Sequence, residues 1–552
     1  MSELNIVSEN DNSTVITEYK RDNTVSAFYQ SEAALEKELI KTLSEQGYEY
    51  LTIHTEQDLI NNLKKQLELL NKTTFSEKEW INIFNTIIAS KNDGILEKTE
   101  KIQKDNTNIS YTRDNGKEEN LKLIDKQNIF NNRLQLINQY EANEGTYKNR
   151  YDVSILVNGL PLVHIELKRR GVALREAFNQ INRYLRNSFC EGNGLFEYIQ
   201  IFIISNGTNT KYYSNTTRKL HTDNGSKKVA NTFEFTSYWA DQNNKAILDL
   251  IDFAKTFLTK RTLLNVISKY CVFTVDKLLM VMRPYQIVAT EKILNKIEIA
   301  HNYKMFGKVD AGGYIWHTTG SGKTLTSFKT ARLATKLDYI DKVLFVVDRK
   351  DLDYQTMKEY NNFKEGCANS NTSTKVLEQQ LSDPNAKIII TTIQKLTTFI
   401  KKNPEHNVYN QEIVMIFDEC HRGQFGDMHE LIVKKFKKYY IFGFTGTPIF
   451  AENAKVVSGL PLTTEQIFGT QLHSYTIVNA INDKNVLPFK YEYIKTIEIK
   501  DDVKDEKVRA INEKKALMDS QRVALVTNYI VDHYAMKTKT NESYVMKTLD
   551  NV

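Results

Sequence analysis

The chain has 552 residues, 41% of them hydrophobic, and a formal net charge of +6. That length fits roughly three to four domains rather than one, and the small net charge excludes a uniformly basic nucleic-acid-coating protein, so any DNA surface must be local. The four cysteines (Cys190, Cys271, Cys367 and Cys420) lack C-x-x-C spacing and read as free thiols, not as disulfides or a zinc site; with no apolar signal region or membrane-length run, the expectation is a soluble, cytoplasmic protein.

In chain order, residues 1–30 are polar and read as a loosely held arm. A helix is expected from Ser31, with Leu35, Leu39 and Leu43 on its apolar stripe. Further helices fit Glu56–Leu70 and Glu77–Ala89, whereas residues 91–120 read as charged and irregular.

Between Tyr151 and Arg170, two apolar runs flank Asn158-Gly159, a strong hairpin signal. A two-residue turn sets Asp152 across from Ile165; a three-residue loop over Asn158–Leu160 sets it across from Glu166. Lys168 shares a strand face with Glu166. Two carboxylates can hold Mg²⁺, and an ammonium beside them can position or deprotonate a water attacking a phosphodiester. The next segment, 173–187, is an amphipathic helix in which Gln180 and Tyr184 are neighbours on one face, with Arg175, Arg183 and Arg186 on its polar parts. Ile201–Gly207 reads as a core strand and turn, Lys211–Lys228 as a basic loop.

Arg283-Pro-Tyr-Gln286 opens a helix (Ile287–Ile297). Downstream, an apolar strand (Tyr314–Trp316) meets a Gly-rich loop and a helix-forming run, Leu325–Leu337, around Thr319, Gly320, Ser321, Gly322, Lys323 and Thr324. This is the strand–loop–helix setting of a phosphate-cradling P-loop, with Lys323 directed to the β/γ-phosphates and Thr324 to Mg²⁺. His317 stands where that motif usually begins with glycine. Apolar runs at Val343–Val347, Ile388–Thr392, Ile413–Phe417 and Tyr440–Phe444 alternate with amphipathic helices, the pattern of a doubly wound parallel sheet. Ile413–Phe417 delivers Asp418 and Glu419 to the sheet edge, where Asp418 can hold Mg²⁺ through water and Glu419 can orient the attacking water.

These residues carry a resemblance. Asp152, Glu166-x-Lys168 and Gln180-x-x-x-Tyr184 resemble the core of PD-(D/E)xK nucleases of the branch with a Q-x-x-x-Y helix, which implies catalytic roles for all five. It also implies a further acid on the first helix, Glu36 first, with Glu38 or Glu32 as alternatives. Gln286 resembles the adenine-reading glutamine of helicases. Asp418-Glu-Cys-His421 resembles the DEAH signature of superfamily 2, which places His421 between nucleotide state and the neighbouring motifs. Phe444–Pro448 resembles motif III, with Thr445 and Thr447 as relays; Val346–Leu352 and Thr391–Leu396 look like DNA-gripping motifs Ia and Ib. A PD-(D/E)xK domain fused to such a motor is the plan of the restriction subunit of type I restriction–modification enzymes. The resemblance implies an α/β architecture: an arm (1–30), an N-terminal endonuclease domain (31–260), a RecA-like doubly wound helicase lobe (261–470), and a connector with the start of an incomplete second lobe (471–552). It implies ATP and Mg²⁺ as cofactors, double-stranded DNA as substrate, and methyltransferase and specificity subunits as partners. The activity implied is ATP-driven translocation of duplex DNA and cleavage of unmethylated DNA away from the recognition site. Past one helix expected over Lys515–His533 no Gly-Arg-x-x-Arg motif appears, so the expectation is a C-terminally truncated or split subunit. An ATP-binding but translocation-incompetent docking subunit is the alternative.

Overall fold

The computed structural model describes residues 13–20, 30–105, 108–142, 149–190, 192–215, 233–347, 350–421, 426–454, 456–457, 460–486 and 518–538. Residues 13–20, expected to be a loose arm, are docked. Val15 and Tyr19 are buried, and the Thr14 amide donates to both Glu291 carboxylate oxygens (3.0 and 2.9 Å). Two apolar side chains in an otherwise polar run are enough to hold it down.

The first helix runs Glu32–Glu45, started by Ser31, whose Oγ accepts from Ala34 N, and it buries Leu35, Glu36, Leu39 and Leu43. Strand β1 (Glu49–Tyr50) follows, then helices Glu56–Asn71 and Glu77–Ile83, the latter running into a π-turn, Phe84–Ile88. Segment 91–120 is more ordered than expected. It holds a helix (Ile95–Gln103) and an antiparallel hairpin, β2 (Asn108–Thr112) with β3 (Glu118–Lys122). The many charges there hide a buried face: Ile102 is fully buried, and even Lys98 is buried, paired with Glu197 (2.6 Å).

A six-stranded mixed sheet in the order β1-β4-β5-β6-β7-β8 forms the first half. Its strands are β4 (Leu134–Ala142), β5 (Asn149–Val157), β6 (Leu160–Leu167), β7 (Ile201–Ser205) and β8 (Thr210–Ser214). β8 claims the start of the stretch expected as a basic loop; 216–232 lie outside the described residues. The helix Leu174–Asn187 packs against β6 and β7.

The β5–β6 turn settles the register by a route that neither expected loop anticipates. It has two residues, Asn158 (φ 53°) and Gly159 (φ 84°), as a type I′ turn requires, pairing Val157 with Leu160. The register then shifts between Leu156↔Pro161 and Ile155↔Val163, so Leu162 is an extra bulged residue. Pro161 has no N–H to offer a ladder, and a proline inside a strand commonly marks a bulge. The slip restores the face: Val153 pairs with Ile165, and one further step sets Asp152 across from Glu166. A Cβ on Gly159 would lie 2.7 Å from the Leu63 Cα. Gly159→Ala is therefore expected to destabilise the fold by about 2–3 kcal/mol, from left-handed strain plus a backbone clash. Equilibrium urea unfolding measures it, and a loss below about 0.5 kcal/mol would contradict the tight turn.

Hairpins β9 (Trp239–Ala240)/β10 (Ala246–Ile247) and β11 (Cys271–Phe273)/β12 (Leu279–Val281), with helices Leu250–Thr256 and Lys260–Lys269, lead to the long helix Pro284–Asn302. The second sheet has seven strands, all parallel, in the order β15-β16-β14-β17-β18-β13-β21. They are β13 (Gly313–His317), β14 (Lys342–Val347), β15 (Asn369–Ser370), β16 (Ile388–Thr392), β17 (Glu412–Phe417), β18 (Lys438–Thr445) and β21 (Gln471–Tyr475), with a small hairpin β19 (Val456–Val457)/β20 (Leu460–Pro461) before the last. Every strand read from the sequence is present within a residue or two. β21 lies past the boundary expected at 470, however, and pairs with β13 in parallel, so the sheet runs on to Tyr475. β21 has only two apolar residues, Leu472 and Tyr475, among its five, too few to stand out in sequence as a buried strand.

The chain divides into two compact units, Met1–Val486 and Leu487–Val552. In the second, a helix spans Ser520–Thr538, shifted about one turn from the expected Lys515–His533. No helix among the described residues is long and apolar enough to cross a membrane.

Candidate functional site

Two clusters of charged side chains form, one at the C-terminal edge of the second sheet's central strands and one where the C-terminal end of β6 meets the N-terminal half of β5 in the first. In the second sheet, β13 ends at His317, the loop turns through Gly320 (φ 77°) and Gly322 (φ 76°), and the helix Lys323–Ala334 begins at once. A side chain on Gly322 would place its Cβ 2.6 Å from Gln286 Nε2, whereas Gly320 faces open space. The loop's free N–H groups and the helix start give a positive cradle. Lys323 Nζ lies 3.4 Å from Glu419 Oε1. Burial, then the Glu419 charge, pushes Asp418 up to about 6, with Lys323 opposing. His421 Nδ1 sits 2.9 Å from Thr445 Oγ1 and 3.4 Å from Glu419 Oε2, while Thr447 N donates to Thr445 Oγ1 (3.1 Å). An unbroken chain of contacts thus runs Lys323–Glu419–His421–Thr445–Thr447.

A cavity of about 680 Å³ opens on this chain, lined by Gln286, Gly320–Leu325, Asp418 and Glu419, with Tyr212 to Ser214 of β8 on its far wall. Ser321 and Thr324 line it too; Thr319 is exposed at the loop's outer side, beside Gly446. Gln286 is placed differently from expectation. Its Oε1 accepts from Arg283 N (2.9 Å), and its Nε2 donates to Ser321 O (3.1 Å) and lies 3.3 Å from Gly322 O. As the third residue of a helix opened by Arg283-Pro284, it closes a capping box. Its amide therefore braces the P-loop instead of presenting a free edge to a base.

Three residues here escaped sequence reasoning. Tyr285 donates to Ser321 O (2.8 Å) and stacks on Tyr475 with ring centroids 3.7 Å apart. His317, in the place of the usual glycine, is buried and meets His473 of β21 at 3.0 Å. His473 in turn contacts Gln242 O (3.1 Å) in the β9–β10 turn. The histidine substitution was the visible signal; its partner on an unrecognised strand was not. Of the expected DNA-gripping segments, Thr391 and Thr392 end β16, and Thr392 caps the next helix; Asp348 and Arg349 lie outside the described residues.

In the first sheet, Asp152 on β5 and Glu166 on β6 face each other beside Lys168. Leu167 N donates to Asp152 Oδ2 (2.8 Å), and Lys168 Nζ reaches Glu166 Oε1 (3.2 Å), Leu167 O (2.8 Å) and Glu32 Oε1 (3.8 Å). Glu32, an alternative in the sequence reading, is thus the first-helix acid that meets Lys168. Glu36, the first choice, binds the Asn138 and Gln139 amides on β4, and Glu38 accepts from Gln30 (3.0 Å). Glu32 and Glu36 share one helix face one turn apart, so the sequence pattern alone does not separate them. His164, not singled out from sequence, lies two residues before Glu166 on the same strand face. Its Nε2 is 3.3 Å from Glu166 Oε2, and its Nδ1 3.1 Å from Ser154 Oγ. Burial pulls this imidazole down to about 4, so it is neutral at physiological pH. Gln180 Nε2 donates to the Tyr184 hydroxyl (2.5 Å), which donates to Arg150 O (2.9 Å). The pair anchors the helix to β5 and does not itself touch a carboxylate.

Burial, then the Glu166 charge, pushes Asp152 up to about 7; burial does the same to Glu166 against the pull of Lys168. The two titrate as a coupled pair. Both folded-state pKa values lie above their unfolded values, so between about pH 4 and 7 the folded chain binds more protons than the unfolded chain, and this pair's contribution to stability falls as pH rises. Asp152→Asn removes one charge and is expected to stabilise the metal-free chain at pH 8 by about 1–2 kcal/mol, with little gain at pH 5. Thermal unfolding in EDTA at both pH values tests this; a variant less stable than wild type at pH 8 would sink it.

A family model for the N terminus of type I restriction enzyme R proteins matches residues 29–221, and one for SWI2/SNF2 ATPases matches residues 285–522. The type I restriction enzyme EcoprrI endonuclease subunit of Escherichia coli is 48% identical over 293 residues, 53% of this chain and 90% of that one. The chain belongs to the family of type I restriction enzyme endonuclease subunits. Within that family, the SsaAORF53P endonuclease subunit of Staphylococcus saprophyticus is 40% identical over 534 residues, covering 95% of this chain. The C-terminal part of a putative MpnIIP endonuclease subunit from Mycoplasma pneumoniae is 50% identical over 200 residues, 35% of this chain and 97% of that one. The chain spans about half the length (54%) of the staphylococcal relatives it matches.

Proposed function

We propose that this chain is the ATP-hydrolysing DNA translocase and endonuclease subunit of a type I restriction system, working with methyltransferase and specificity subunits on double-stranded, unmethylated DNA. The observation that carries this reading is the presence of both charged clusters, each at the end of buried strands, in one family member.

In the motor cluster, Lys323 and the loop N–H groups bind the β- and γ-phosphates of ATP. Thr324 and Asp418 hold Mg²⁺, and Glu419 orients the attacking water. Ser321 and Gly322 shape the cradle, and Gln286 and Tyr285 brace it. Breaking the Lys323–Glu419 pair on nucleotide binding frees Glu419 for the water. His421, Thr445 and Thr447 pass the change toward the DNA-facing loops. In the first sheet, which we read as the core of a PD-(D/E)xK nuclease domain over residues 31–260, the Asp152–Glu166 donor set suits a hard divalent cation: oxygen-only, with carboxylates that burial and mutual repulsion leave in need of a positive charge. Among the described residues no group of three or more His, Cys, Asp and Glu side chains converges on a metal position; Asp152 and Glu166 are the residues that would hold Mg²⁺, which when bound would supply Lewis-acid polarisation of the scissile phosphate, while Lys168 orients the attacking water. Gln180 and Tyr184 hold the helix that walls the site.

The test is ATP turnover by the purified chain with cognate methyltransferase and specificity subunits, with and without unmethylated target DNA. DNA-stimulated turnover supports the motor reading. ATP binding that depends on Lys323 but never leads to turnover would overturn it and leave a nucleotide-binding docking subunit.

A further inference from the structure

A second large cavity, of about 820 Å³, borders the first at Phe363 but is lined by none of the residues of either charged cluster. Its walls come from the helix Ile95–Gln103 and the loop after β3 on one side, and from β11, the helix Lys260–Lys269 and the helices Lys323–Ala334 and Lys350–Phe363 on the other. Eight basic side chains and three acidic ones line it. The acids are largely engaged: Asp105 binds Arg332 (2.7 Å) and Lys364, and Glu100 binds Lys104 (3.0 Å). Four amines have no carboxylate within ion-pair distance among the described residues. Lys126 donates to Lys104 O (3.0 Å) and Lys329 to Cys271 O (3.4 Å), while the Nζ groups of Lys269 and Lys336 make no hydrogen bond to the described residues.

Amines gathered in one cavity repel one another, and withdrawing them from water raises the penalty. Burial, then Arg332, draws Lys329 down to about 7, with Lys336 and Lys126 adding to the repulsion; burial draws Lys126 down to about 8. A fold that keeps such a group without an acid partner gains stability from any anion that enters. The remaining wall is aromatic and apolar, with Phe273, Phe328, Phe363 and Leu333. Cationic floor, aromatic wall and a volume in the range of small-ligand sites, roughly 300–1,000 Å³, together match an anion with a flat apolar part.

We infer that this cavity is a binding site for a small phosphate-bearing anion of up to mononucleotide size, separate from the P-loop. Its phosphates sit among Lys126, Lys269, Lys329 and Lys336. Because its walls come from both sides of the β11 strand, an occupant ties the first-sheet half to the motor helices.

Calorimetric titration of the full chain with inorganic tripolyphosphate tests the site by stoichiometry. Wild type is expected to bind two equivalents, at the P-loop and at the cavity. Lys329→Gln/Lys336→Gln is expected to lose one of them, or to weaken it at least tenfold, and Lys323→Ala to lose the other. One equivalent in wild type, abolished by the cavity variant, would uphold this site while removing the P-loop reading. Equal stoichiometry and affinity in wild type and the cavity variant would overturn it. The more exposed pair Lys269→Gln/Lys336→Gln serves if Lys329 proves essential for folding, with the same expected loss. Without anion, the cavity variant is expected to melt higher than wild type, and with tripolyphosphate to gain less. ADP added against tripolyphosphate in the Lys323→Ala background reads the aromatic wall: competition assigns a nucleotide, and its absence a simple polyphosphate.

Discussion

Lys323→Ala is expected to abolish ATP binding at the P-loop and DNA-stimulated hydrolysis while leaving the fold intact. Lys323 opens its helix at the mouth of the cavity and makes its ion pair with Glu419 at 3.4 Å. Its packing role is small, but its electrostatic role is threefold. In the proposed mechanism it supplies the charge for the phosphates; in the structure it pairs with Glu419 and opposes the burial that raises Asp418. Without it, Asp418 is protonated more readily and binds Mg²⁺ less well at neutral pH, so the metal weakens along with the nucleotide. Loss of such a preorganised charge costs roughly 10²–10³-fold in turnover, and the effect on the metal adds to it. Equilibrium binding of a fluorescent ATP analogue and ATPase assays in the assembled complex measure the loss, with thermal unfolding as the control. Translocation at the wild-type rate would refute the assignment.

Lys168→Ala is expected to stop DNA cleavage and spare ATP hydrolysis. Its ammonium bridges Glu166, the Leu167 carbonyl and Glu32. Removing it leaves the fully buried Glu166 without a cation, so that carboxyl titrates still higher and holds its proton at neutral pH. Two functions go at once: the water loses its positioning group, and Mg²⁺ loses an ionised ligand. The expected loss is roughly 10²–10³-fold in cleavage rate, at an unchanged ATPase rate. Lys168→Arg is not expected to rescue, because a planar guanidinium cannot reproduce a compact ammonium between three oxygens. Cleavage of a two-site plasmid, assayed beside ATP turnover in the same complex, separates this from misfolding. Retention of cleavage in Lys168→Ala would remove the nuclease assignment.

Much of this was legible residue by residue. The strand–loop–helix around Lys323 and the strand delivering Asp418 and Glu419 follow from local pattern, because a buried parallel strand must be continuously apolar and a P-loop must bend at glycine. The Asn158-Gly159 turn was legible for the same reason. The pairing of Asp152 with Glu166 was only half legible: turn length sets the register near the turn, but the bulge at Leu162 resets it, and Pro161 was the local hint. Gln286 looked free because sequence shows its type and spacing but not that the Arg283 amide and the P-loop carbonyls compete for its amide.

The sequence by itself determined which chemical groups stand at the ends of which strands, since hydrophobic periodicity and turn residues act over a few positions and are written in order. Only the tertiary structure decided which groups meet across the chain: Glu32 rather than Glu36 at Lys168, His317 against His473 on a seventh strand, and, from three segments, lysines with no carboxylate partner among the described residues in one cavity. Such meetings depend on helix placement, strand register and packing between segments far apart in the chain. Those quantities are fixed by the sum of many weak contacts, and no local pattern encodes that sum.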